Sequence, residues 1–187
     1  MSGDLLFDPA THTYTLDGQV LPGVTQIIGA AGLRDDSWYT EDAALFGKRV
    51  HEWTAHRDLG GTEPYPEEIE GQCKAWEKFK AEAKPEILHV EMKIHHPDLP
   101  YAGTIDRIAI LNSHTWILDI KTGVPQPWHG VQLAAYAFAT ESIRHRAAVY
   151  LREDGTYKVA VDSNTENWGL FYSALNVYSW RKNHGLA

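Results

Sequence analysis

The sequence predicts an α/β (α+β-like) layered fold, on three observations. Apolar spacing is helical from about residue 40 to residue 84 and turns extended at residue 86. Three extended runs then follow one another, at 86–95, 101–111 and 114–121. The third leads into an apolar helical stretch, after which two more extended runs and a last helix complete the chain. Three strands in succession make a meander, and the helix after the third can carry the chain across to a further strand. Helices and a sheet packed in this way form layers around one core.

Taken in order, FDPATHTYTLDGQVLPG reads as a β-hairpin, because two β-favouring runs flank the turn pair Asp17-Gly18. VTQIIGAAG is a short helix ended by Gly32. TEDAALFGKRVHEWTAHRDLG is a longer one, with Thr40 as cap, Glu41 and Asp42 in the first turn and Gly60 as stop. GGTEPYP is a loop, and Pro66 opens a helix that runs to about Lys84 before Pro85. The three strands are separated by the turns HPDLP and LNSH. PWHGVQLAAYAFATES is a helix, RAAVYLRE and TYKVAVD pair around Asp154-Gly155, and the last helix spans about Thr165 to Lys182.

With 187 residues, the chain is long enough for one domain with a sizeable core. We expect a single domain over 1–187, with the hairpin and short helix at 1–35 and the core at 38–187. No apolar run approaches the roughly 20 residues of a membrane span, and the N-terminus lacks the pattern of a signal peptide. Cys73 is the only cysteine, which excludes an internal disulfide and a cysteine-built metal cluster and fits a reducing cytoplasm. The formal net charge of −8 argues against a broad basic surface for nucleic acid, though not against a small local groove. Divalent cations are another way to neutralise several of the carboxylates.

The stretch HTWILDIKTG holds the main anomaly. Trp116, Ile117, Leu118 and Ile120 mark a mostly buried strand, yet Asp119 sits among them and Lys121 two residues on. An unpaired buried carboxylate costs several kcal/mol, so Asp119 needs compensation. Alternation puts Asp119 and Lys121 on one face, at a strand end. The preceding strand, YAGTIDRIAIL, carries Asp106 among isoleucines, and counting back from the turn brings Asp106 and Asp119 close across the antiparallel pair. Two such carboxylates repel, and a divalent cation between them resolves both problems; hard oxygen ligands suit Mg²⁺ or Mn²⁺. His51 lies one helical turn after Gly47 on a small-residue face with Ala44 and Ala55, which lets its imidazole reach the sheet. Gly47, unfavourable within a helix, suggests close approach to another element. Gln132 and Tyr136, four apart on the next helix, point the same way. Lys48, Arg49 and Arg57 flank His51, and Arg144, Arg146, Arg152, Arg181 and Lys182 lie further on; some of these would line a groove. Trp38, Tyr39, Trp53 and Trp128 are aromatic candidates for stacking on unpaired bases, Trp128 foremost because it precedes the helix beside the site.

The succession GKRVH, GTID, ILDIKTG and QLAAY resembles the PD-(D/E)XK nuclease superfamily, in particular its RecB-like branch with many phage exonucleases, over about residues 7–140. The opening YTLDGQVLPGVTQII resembles the N-terminal region of phage-encoded members. The resemblance implies a restriction-endonuclease-like core, with a central mixed sheet flanked by helices, that hydrolyses DNA from its ends. It implies that His51, Asp106 and Asp119 hold the metal with the Ile120 carbonyl, that Lys121 orients or activates water, and that Gln132 and Tyr136 shape the site and touch the strand. Glu91 would match an acidic residue that some members place earlier. Arg49 and Trp128 complete the expected substrate contacts. Linear DNA ends or single strands are the expected partner, with a recombinase or single-strand-binding protein beside them. A catalytically idle DNA-end-binding module and a small-molecule phosphoesterase are the competing functions.

Overall fold

The computed structural model describes residues 4–34, 40–140 and 143–186. Its N-terminal unit is a three-stranded antiparallel sheet of β1 (Leu5–Asp8), β2 (Thr13–Leu16) and β3 (Gln19–Leu21). Asp17 and Gly18, both at positive φ (49° and 79°), make the tight turn that pairs Leu16 with Gln19. The expected hairpin is one strand larger. Leu5–Asp8 adds to its edge, and the Asp8 carboxylate turns the chain by accepting from the Ala10 amide and the Thr11 hydroxyl (2.9 and 2.8 Å).

Helix α1 (Val24–Ala30) follows and buries Val24, Ile27 and Ile28. Helix α2 (Glu41–Asp58) starts where the Thr40 hydroxyl accepts from the Ala43 amide at 3.1 Å. A 3₁₀ turn at Glu67–Ile69 leads into α3 (Glu70–Ala83), which stops at Lys84 in the left-handed region, just before Pro85. Then come β4 (Glu86–His95), β5 (Ala102–Leu111), β6 (His114–Lys121), α4 (Trp128–Ala139), β7 (His145–Leu151), β8 (Tyr157–Val161) and α5 (Glu166–Asn183). The helix expected over PWHGVQLAAYAFATES ends at Ala139, and Glu141 and Ser142 lie outside the described residues.

The five later strands form one mixed sheet in the order β4-β5-β6-β7-β8, parallel between β6 and β7 and antiparallel elsewhere. This is the predicted meander followed by a helical crossover. Hydrophobic cores cover both faces. Ile117 packs with Val24, Ile27, Leu133 and Phe171 beside α1, α4 and α5, whereas Leu118 and Ile120 pack with Val50, Trp76 and Phe79 beside α2 and α3. Burial on both sides explains why β6 reads as a nearly continuous apolar run. The N-terminal sheet is tied to β5 by the Ala102 amide donating to the Pro22 carbonyl (3.0 Å) and by Tyr14 Oη on Thr104 Oγ1 (2.8 Å). No helix among the described residues is long and apolar enough to cross a membrane.

Candidate metal centre

The site begins with strand register. Arg107 pairs with Leu118, so Asp106 and Asp119 are next in the β5–β6 ladder. On the other side, Val90 pairs with Arg107 and Met92 with Ile105, which sets Glu91 opposite Asp106. Three carboxylates therefore lie in one row across β4, β5 and β6. Glu91 has φ 50°, in the left-handed region that a non-glycine residue occupies only at a cost in energy. Above the row, α2 lowers His51 so that its Nδ1 lies 3.4 Å from Asp106 Oδ1 and 3.9 Å from Glu91 Oε1. One ligand atom from each of His51, Glu91 and Asp106 lies within 4.8 Å of the others.

Asp106 Oδ2 accepts from the Ile120 amide at 2.6 Å, which locks the carboxylate to β6. Ile120 enters the site through that amide, while its side chain is buried in the core beside α2 and α3. Asp119 turns to Lys121, whose Nζ is 2.6 Å from Oδ2 in ion contact, although that oxygen lacks an aligned hydrogen bond among the described residues. Lys121 Nζ donates to Gln132 Oε1 (2.9 Å), and Gln132 Nε2 donates to Tyr136 Oη (2.9 Å). Trp128 lies beside the same ammonium, its ring centre 5.4 Å away. The helical face carrying Gln132 and Tyr136 thus holds the lysine from one side and Asp119 from the other.

The electrostatics follow from this packing. Burial opposes a charge on His51, but the Asp106 and Glu91 carboxylates outweigh it and push the imidazole up to about 10. Burial would raise Asp106, but His51, Lys121 and the Ile120 amide hold it below its ordinary value. Burial pushes Asp119 up to about 6, with Lys121 pulling down and Asp106 adding to the rise. Burial, with Asp119 adding to it, drives the Tyr136 phenol well above its ordinary range, so it stays a neutral hydroxyl. The residues fit a hard divalent cation: one imidazole nitrogen and two carboxylates converge, and a third carboxylate with an unaligned buried oxygen lies next in the row.

The other expected residues divide. Lys48 lines the cavity over the site, whereas Arg49 does not and is paired on the surface with Glu68 (3.0 Å). Arg57 is held by Glu77 (2.8 Å), Arg146 by Asp162 (2.7 Å) and Arg181 by backbone carbonyls. Trp53 is a core residue, with its indole N–H 3.4 Å from the Pro64 carbonyl. Trp38 and Tyr39 lie outside the described residues. Gly47 faces Thr122, but a Cβ there would meet its Oγ1 at an ordinary 3.7 Å, so the expected tight approach is absent. Sequence reasoning missed Tyr14, Thr104 and Lys93, which line the same cavity. Lys93 carried a signal, since it lies two residues after Glu91 on the same strand; Tyr14 carried none.

No protein-family model matches the chain, and no curated protein matches it in sequence. Among solved structures, the chain is similar to the alkaline exonuclease LHK-Exo of Laribacter hongkongensis, with TM-score 0.45 and 15% identity over 88% of this chain and 94% of that one. It is also similar to LHK-Exo in complex with dAMP, with TM-score 0.49 and 12% identity over 88% of this chain and 93% of that one.

Proposed function

We propose that the chain is a single-domain, divalent-metal-dependent deoxyribonuclease that hydrolyses phosphodiester bonds from DNA ends. The observation that carries this reading is the convergence of His51, Glu91 and Asp106 to within 4.8 Å, with Asp106 bonded to the strand that bears Asp119 and Lys121. His51, Glu91 and Asp106 would hold Mg²⁺ or Mn²⁺, with Asp119 and the Ile120 carbonyl as further ligands. A cation held there supplies positive charge at the scissile phosphate and acidity to water. The chain's own groups do the rest. Asp106 and Asp119 set the negative field that retains the cation. Lys121, held by Gln132, aims its ammonium at the attacking oxygen and at the charge that builds on the phosphate. Tyr136 fixes Gln132, and the Trp128 ring lies beside the lysine. The resemblance to RecB-like exonucleases supports a cytoplasmic role in phage or mobile-element recombination, alongside a recombinase or single-strand-binding protein.

The test is direct. Purified protein is incubated with linear duplex, circular duplex and single-stranded DNA in Mg²⁺ or Mn²⁺, and again with chelator. Metal-dependent loss of linear DNA with intact circles is the expected outcome. Nicked circles would make the enzyme an endonuclease. Shifted DNA ends without cleavage in either metal would replace the enzyme by an idle end-binding module.

A further inference from the structure

We propose that Phe7 and His12 of the N-terminal sheet and Lys93 of β4 form a subsite for one unstacked nucleotide beside the metal centre, with the base on the rings and the phosphate on the ammonium. The proposal rests on the nuclease reading and names its substrate as an unpaired strand end.

A cavity of about 660 Å³ is lined by His51, Glu91 and Asp106 and also by Phe7, His12 and Lys93. The Phe7 ring is seated by Tyr14, with centroids 4.7 Å apart, and met edge-on by the exposed His12 ring at 5.1 Å. Tyr14 is itself anchored to Thr104, so this aromatic wall is formed before anything binds. Lys93 Nζ lies 5.2 Å from the Phe7 ring centre and donates to the Glu91 carbonyl at 2.9 Å. The ammonium thus stands between the wall and a residue of the metal group, and it has no ion pair among the described residues. A flat apolar ring next to an unneutralised cation matches the two halves of a nucleotide. A base can lie on the rings only after leaving its own stack, which an unpaired strand end allows and a duplex interior resists. Of the stacking candidates expected from sequence, Trp53 is in the core, Trp128 lies beside Lys121, and Trp38 and Tyr39 fall outside the described residues.

The experiment measures binding, by fluorescence anisotropy in Ca²⁺, of a short single-stranded deoxyoligonucleotide and of the same strand made entirely of abasic residues. The wild-type chain is expected to bind the normal strand roughly 5- to 100-fold more tightly, the worth of a base on an aromatic ring. Phe7→Ala and His12→Asn should each shrink that ratio towards one. Asparagine at 12 tolerates the left-handed backbone there (φ 51°), so loss of the ring is separated from loss of the turn. Lys93→Gln should weaken both strands alike and flatten the salt dependence by about 0.7 in slope. Equal wild-type affinities, absence of binding to either strand, or a ratio unchanged in both ring variants would overturn the subsite. Cleavage is scored separately: base-dependent binding without metal-dependent cleavage sinks the nuclease reading alone, and cleavage without base dependence sinks the subsite alone.

Discussion

Asp106 and Arg107 are neighbours in β5 and send their charges out of opposite sides of the strand, into two buried clusters that differ in one respect. Arg107 is fully buried, and each of its three nitrogens has a partner. Its Nε donates to Asp58 (2.7 Å), Nη1 to the Asp106 carbonyl (2.6 Å) and Glu91 (3.3 Å), and Nη2 to Thr54 (3.1 Å). Asp58 in turn accepts from the Trp76 indole and from Lys80. Every charge there has an opposite beside it. Asp106 instead faces a second and a third carboxylate along its row, and burial pushes Asp119 up to about 6. A cluster complete in itself holds the fold together, and a cluster left with excess negative charge has room for a cation. Glu91 belongs to both, since it touches Arg107 and His51, and so couples the scaffold to the centre.

The contrast can be broken first at its functional side. Asp119→Ala and Lys121→Ala are each expected to lower metal-dependent cleavage at least 10²- to 10³-fold, on the order of what one preorganised charge contributes to a transition state. Both variants should still fold, with Lys121→Ala melting lower because the buried Asp119 carboxylate loses its cation, and metal-free Asp119→Asn should melt higher, because a carboxylate that burial disfavours is gone. Parental cleavage rates in Lys121→Ala would remove the lysine from catalysis. On the scaffold side, Asp58→Ala strands a buried guanidinium and should cost about 3–5 kcal/mol. In a chain of this size that is a fall in melting temperature of roughly 6–20 °C. Cleavage per folded molecule should change far less. If instead activity collapses while the melt stays put, the two clusters are not separate in role.

A smaller effect separates the clusters by pH. The imidazole of His51, pushed up to about 10, holds a proton at neutral pH that must leave before a cation can take the nitrogen. Mg²⁺ affinity should therefore rise with pH from 7 to 9, by up to about tenfold per unit, and His51→Ala should flatten the profile. The sign for stability is the reverse. A base whose pKa rises on folding contributes stability fully below its unfolded value near 6.5, and loses it as pH climbs through about 10. Metal-free protein should thus lose stability from this group with rising pH, and the metal-induced gain in melting temperature should widen over the same window. A metal-induced shift that is flat from pH 7 to 9 would take His51 out of the ligand set.

Much of this was legible in the sequence because local rules decided it. Strands β4 to β6 have uninterrupted extended patterns bounded by Pro and turn residues, and the bounds 86–95 and 114–121 were met as expected. Counting back from the turn LNSH brings Asp106 and Asp119 close, and the pairing of Leu111 with His114 across Asn112-Ser113 fixes the register. What could not be read depends on distant packing. Lys48 and Arg49 are adjacent on one helix, and only the placement of α2 decides that the first lines the cavity and the second pairs with Glu68. Arg107 stood in plain view among isoleucines, but its partner Asp58 is 49 residues away. The edge strand Leu5–Asp8 is held by pairing to β2; Asp8-Pro9 is a turn signal after it, but four residues are too short a run to be told from a loop by alternation.

The smallest expected effects lie in the second layer, where packing and positioning overlap. Gly103 in β5 leaves room for the Tyr136 ring: a Cβ there would stand 2.7 Å from Tyr136 Cε1 and 3.4 Å from Val24 Cγ2. Gly103→Ala should cost about 1–3 kcal/mol through overpacking. Because Tyr136 carries Gln132, and Gln132 carries Lys121, the shifted ring should also lower the single-turnover cleavage rate. Tyr136→Phe keeps the ring in place and removes only the hydroxyl that accepts from Gln132, so it should cost roughly 1 kcal/mol and slow cleavage by a few-fold. Comparing the two separates the ring from its hydroxyl. If Gly103→Ala lowers the melt but both variants cleave at the parental rate, the chain from Tyr136 to Lys121 is packing, and the lysine is aimed by Asp119 alone.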